Sequence, residues 1–237
     1  MVLTALAAAF GVVEAAIVVA LRRWLDPAGV VFPAVVMPPD LLPIECGREV
    51  ATLIVLAAAA HLAAATRVTR IAAFLVAFGA WDLVYYAALR LWLGWPPHLD
   101  SWDLLFLVPV PWFGPVYAPL LVSIVMVAAG LLARRHEHRH GPFRVARLHI
   151  AAVILGAMLI LASFIAPAHG GMQPPARYPV EWFGAGLAIG VSAFLHAWHR
   201  NRCASQRQMA PEGAFSTAGA PTSIAPARGA PPPPAGR

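Results

Sequence analysis

The sequence predicts an all-α integral membrane protein: a bundle of about six transmembrane helices, with a proline-broken re-entrant or interfacial segment and a disordered C-terminal tail. Three observations predict it. Hydrophobic residues make up 60% of the 237 and charged residues only 12%, with a mean hydropathy of +0.70; soluble domains sit near half apolar and a quarter charged. Apolar runs of about 20 residues, the length that crosses a bilayer, recur along the chain. Proline gathers between those runs and in the last stretch, where it breaks regular structure.

The first run gives a helix over about 2–21, ended by Arg22-Arg23 and Asp26-Pro27. A cleaved leader is a poor fit, because no basic residue precedes the run and Glu14 interrupts it. Residues 27–43 hold five prolines and read as an irregular loop. A second helix is expected over about 44–66 and a third over about 70–93, joined by a link short enough to make them antiparallel neighbours. Residues 104–110 are too few to span, and four prolines between Pro109 and Pro119 make this the re-entrant or interfacial piece. Further helices follow over about 116–133, 148–167 and 180–199. Gly186 and Gly190 stand at the spacing that lets helices approach closely. Residues 201–237 are rich in Ala, Pro and Gly and form the expected disordered tail.

All 17 basic residues are arginine. Five of them lie between the fourth and fifth helices, which argues that this loop, and with it both termini, is cytoplasmic in an inner-membrane topology. Arg22, Arg23 and Arg48 fall on the outer side and run against that rule. The net charge of +6 is spread along helix ends rather than gathered in a patch, so the partner is the lipid bilayer and not nucleic acid. A homo-oligomer or a membrane-complex partner is compatible with the apolar surface.

Acids carry the chemistry. A carboxylate at membrane depth is costly and marks a functional site by default. Glu14, Glu49 and Asp82 are the three so placed. Their oxygens suit a hard divalent cation, which makes them the candidate metal ligands. Glu49, Asp82 and Tyr85 are the candidate catalytic groups; Tyr85 shares a face with Asp82 and Gly79 through three- and four-residue spacing. Thr52, on the stripe of Glu45 and Glu49, and Asp103, at the outer surface, are the candidate ligand-binding residues. Near the inner helix ends, His61, His149, His196 and His199 raise the possibility of axial haem ligation, but no pair is singled out and haem is disfavoured. Trp-Asp-Leu-x-aromatic occurs twice, at Trp81 and at Trp102, on flanks that do not match; coincidence in a tryptophan-rich chain accounts for it.

No nucleophile elbow, Walker loop, dinucleotide fingerprint or metalloprotease motif is present in the sequence. Three functional classes stay open. One is an outward-opening intramembrane carboxylate/tyrosine site serving a cation-dependent enzyme or a cation-binding protein. The second is a small proton- or ion-coupled transporter or channel, and the third a structural or assembly subunit in which the acids are structural.

Overall fold

A computed structural model describes residues 1–25, 38, 40–167 and 177–209. The described residues are mostly helical, at 78%. The elements are α1 (Val2–Leu25), α2 (Leu42–Leu62), α3 (Arg67–Leu93), a pair of short strands β1 (Trp102–Phe106) and β2 (Trp112–Pro115), then α4 (Tyr117–His140), α5 (Arg147–Ile165) and α6 (Val180–Met209). Among the described residues, five helices are long and apolar enough to cross a membrane: α1, α3, α4, α5 and α6. The sixth expected span, α2, falls short because Glu45, Arg48 and Glu49 crowd its first two turns.

Several boundaries differ from the sequence expectation, each for a local reason. α2 stops at Leu62 rather than near 66 because Thr66 is taken as the cap of α3. There, Thr69 N–H donates to Thr66 Oγ1 and Thr66 N–H to Thr69 Oγ1, a reciprocal capping box. α4 continues past 133 through the arginine- and histidine-rich stretch to His140 and ends at Gly141, whose φ of 85° suits glycine. α6 likewise runs on past 199 to Met209, so residues 201–209 of the expected tail are helical; the remainder of 201–237 lies outside the described residues. In both cases nothing in the local sequence breaks the helix where the apolar run ends.

The larger correction is the β-hairpin, which makes the fold not purely α-helical. β1 and β2 pair antiparallel, Trp102 opposite Pro115 and Leu104 opposite Phe113, with an irregularity before the Phe106–Trp112 pair. Aromatic residues favour the pleated surface. Pro109 and Pro111 sit in the connection and Pro115 at the strand end, where the ladder can spare the missing N–H.

α3 is the axis of the molecule, with α1 and α4 both packed along it. The α3–α4 approach depends on Gly79: a Cβ there would stand 2.6 Å from the Ser123 carbonyl oxygen. α5 and α6 form a separate pair, in contact through Gly156 and Gly186. The hairpin lies against the inner side of α3, since Tyr86 reaches Asp103 and Phe106 stacks on Phe78 at 6.4 Å between centroids. An aromatic cluster of Trp102, Tyr117, Phe164, Tyr178 and Phe183 ties the hairpin and α4 to the α5–α6 pair.

Candidate functional site

Between these elements lies a cavity of about 460 Å³, and the sequence-predicted residues line it: Glu14 of α1; Glu49 and Thr52 of α2; Asp82 and Tyr85 of α3; and Asp103 of β1. Six residues from three helices and a hairpin therefore share one chamber. Asp103, expected at the outer surface, is instead 2% exposed within it, because the hairpin folds in toward α3.

Each acid is held differently. Arg48 forms an ion pair with Glu14 Oε1 and donates from Nε and Nη2 to Glu45 Oε2 at 2.9 and 2.7 Å. The Thr52 hydroxyl stands 3.3 Å from Glu14 Oε2 and 3.0 Å from the Arg48 carbonyl. Glu49 turns both oxygens to the backbone N–H of Leu107, at 3.1 and 2.8 Å, and so anchors the hairpin to α2. Asp103 Oδ2 accepts from Tyr86 Oη at 2.8 Å and Oδ1 from the Leu104 N–H at 2.9 Å, with Arg22 Nη2 at 3.8 Å. The Arg22 guanidinium also lies over the Trp95 ring, 4.2 Å from its centroid.

Asp82 is the exception. Its partner is the Ser123 hydroxyl, which donates to Oδ2 at 2.8 Å. Gly79, one turn before it on α3, lets α4 come close enough to supply that serine. No guanidinium and no backbone amide faces Asp82 among the described residues. Tyr85, nearly one turn further along α3, packs its ring on Trp81 and Tyr86 at 6.1 and 5.1 Å between centroids.

The rest of the chamber's lining is rich in aromatic side chains, with Phe74, Phe78, Trp81, Phe106, Trp112 and Phe164 around it. Sequence reasoning missed Trp112, Phe106 and the Leu107 amide as site components, because all three arrive on the hairpin. It also passed over Arg22 as a site residue, although an arginine directly following a membrane-length run was a visible signal.

The expected metal set does not converge. Among the described residues, no group of three or more His, Cys, Asp or Glu is placed to hold a metal ion. Glu14 is turned to Arg48, Glu49 to a backbone amide and Asp82 to Ser123, so the three carboxylates share a chamber without sharing a point. Of the histidines, His149 and His196 come together, with Nε2 and Nδ1 3.1 Å apart in hydrogen-bond contact.

Burial pushes the Asp103 carboxyl up to about 6, against the opposing pull of Arg22 and of the Tyr86 hydrogen bond. The folded state thus holds its proton more tightly than the unfolded chain, where the carboxyl titrates near 3.8. The associated stability is present below that value and is lost as pH rises through about 6. Thermal stability of the detergent-solubilised protein is expected to fall from pH 4 to pH 6.5, and Asp103→Asn to flatten that slope. An unchanged slope in the variant would assign the pH dependence elsewhere.

The fold and site define a class, a helical membrane-type protein enclosing a carboxylate-rich, aromatic-walled chamber. No protein family, curated protein or solved structure matches the chain.

Proposed function

We propose that the chamber binds a lipophilic organic cation, and that this is a multi-pass inner-membrane protein with cytoplasmic termini built around that site. The observation that carries the reading is a charge imbalance on an aromatic wall. Five carboxyl groups line the cavity (Glu14, Glu45, Glu49, Asp82 and Asp103) against two guanidiniums, Arg22 and Arg48. Both arginines are engaged with acids already, which leaves Asp82 as the counter-charge for a ligand. Intramembrane acids serve as ligand counter-ions when they face a cavity. Aromatic faces attract a desolvated cation with about 2 kcal/mol each in favourable geometry. At 460 Å³ the chamber falls in the range of small-molecule sites, roughly 300–1,000 Å³.

This reading keeps the cation-binding class expected from the sequence and changes the cation. A bare divalent ion needs several oxygens on one point, whereas an organic cation spreads its charge over a chamber and accepts separated carboxylates. Glu49 and Tyr85 then flank Asp82 at the ligand, and Thr52 and Asp103 fix the shape of the polar end. The distribution of arginine supports the orientation.

Tetraphenylphosphonium and tetraphenylborate test it, being alike in size and shape and opposite in charge. Equilibrium dialysis of the purified protein in an uncharged detergent is expected to give saturable uptake of the cation near one per chain and none of the anion. Equal, non-saturating uptake of both would overturn the proposal and favour a structural role for the acids. A preference for the anion would overturn it outright.

A further inference from the structure

We propose that the chamber opens sideways along α5 to the lipid, so that its ligand is admitted from the bilayer rather than from water. The geometry of α5 carries this. Ala157, Ile160, Leu161 and Phe164 of α5 form one wall of the cavity, facing Val122, Ser123 and Met126 of α4. Yet among the described residues α5 packs along its length on α6 and touches β2; it meets α4 through side chains at its Phe164 end, where Phe164 and Ala118 share a core, and has no extended packing on α1, α2, α3 or α4. Away from its Phe164 end, this wall has no helix but α6 packed along it among the described residues, which leaves a seam.

Ala157 marks where the seam reaches the surface. It lines the cavity and is also exposed. It stands near the middle of α5, a 19-residue helix long and apolar enough to cross a membrane, and so at mid-membrane depth. Around it Val153, Ile154, Leu155 and Met158 are exposed as well, an apolar surface suited to acyl chains. In the hairpin and at its foot, by contrast, Leu107, Phe113 and Val116 are buried.

The chemistry of the route selects the ligand. A hydrated ion meets no polar group at Ala157, Leu161 or Met126 and cannot shed its water there, since an unpaired charge in an apolar setting costs far too much. A molecule whose charge is shielded by apolar groups partitions into the bilayer and passes the seam body first. This identity of the ligand rests on the cation reading above; the seam itself does not.

A carbene-generating aryl diazirine dissolved in the lipid of proteoliposomes tests the seam without any assumption about charge. On photolysis, mass spectrometry is expected to find insertion at Phe78, on the cavity face of α3, as well as at the lipid-facing Leu155. Ala157→Trp, which narrows the seam, is expected to lower insertion at Phe78 at least fivefold and leave Leu155 unchanged. Absence of label at Phe78 in the unmodified, folded protein would overturn the proposal whatever Ala157→Trp does. Label at Phe78 without tetraphenylphosphonium binding would leave the seam standing and remove the cation.

Discussion

Arg48→Met is expected to be the most destabilising single substitution in the polar half of the molecule. Arg48 is the only basic side chain that reaches both Glu14 and Glu45 among the described residues, and these two acids are 4% and 7% exposed. Removing one partner of a buried pair strands the other charge, at a cost of about 3–5 kcal/mol. Here two carboxylates are stranded, and the same ion pair is the main bond between α1 and α2, which otherwise hardly touch. For a chain of this size 1 kcal/mol moves Tm by roughly 2–4 °C, so a fall on the order of 10 °C follows. Neutralising the partners separates charge from packing: Arg48→Met combined with Glu14→Gln and Glu45→Gln is expected to recover most of the loss, because a well-packed neutral set of similar volume stands in for a buried ion cluster. Thermal unfolding followed by tryptophan fluorescence reads both. A triple variant no more stable than Arg48→Met alone would mean that Arg48 acts through its aliphatic stem and not through its charge.

How far this site was legible in the sequence depends on the distance over which each contact is made. Glu14 and Asp82 were visible as acids inside apolar runs, because membrane depth is a local property of the run. Their partners were not: Thr52 meets Glu14 across 38 residues and Ser123 meets Asp82 across 41, and no periodicity encodes that pairing. Ser123, inside an apolar run, therefore carries no local sign of its role. Glu49 was read as a metal ligand or base; its role in receiving the hairpin depended on knowing that residues 102–115 turn inward.

The Trp-Asp-Leu-x-aromatic pattern shows the same limit. At Trp81 it is helical and at Trp102 it is a strand, with identical leading residues. Flanking context decides: the first copy lies inside an apolar run with no breaker, the second is closed in by Pro109 and Pro111. Short runs with aromatics on either side of Pro-Val-Pro were a hairpin signal; within so apolar a chain they read as a re-entrant or interfacial piece. The conflict of Arg22 and Arg48 with the arginine rule also has a physical origin. Both guanidiniums are turned inward to carboxylates, so they are site components and carry little information about the side of the membrane.

Asp82→Asn is expected to abolish cation binding while leaving the fold in place. The asparagine carbonyl can accept the Ser123 hydroxyl hydrogen bond that Asp82 Oδ2 now takes, so the α3–α4 contact keeps its polar tie. What is lost is, among the described carboxylates that line the chamber, the one without a guanidinium or amide beside it. Truncating one partner of a desolvated charge pair costs about 2–5 kcal/mol, and about 3 kcal/mol is roughly a 100-fold rise in Kd for tetraphenylphosphonium. Ser123→Ala supplies the contrast: it removes a donor that steadies the carboxylate but keeps the charge, and a change of only a few-fold is expected. Glu49→Gln should fall between the two, since its charge lines the chamber but already leans on the Leu107 amide. This ordering separates the cation reading from a purely structural one. If the acids merely hold helices together, Asp82→Asn and Ser123→Ala lose stability in step and neither moves a binding constant. If Asp82 is the counter-ion, affinity follows the charge and stability does not.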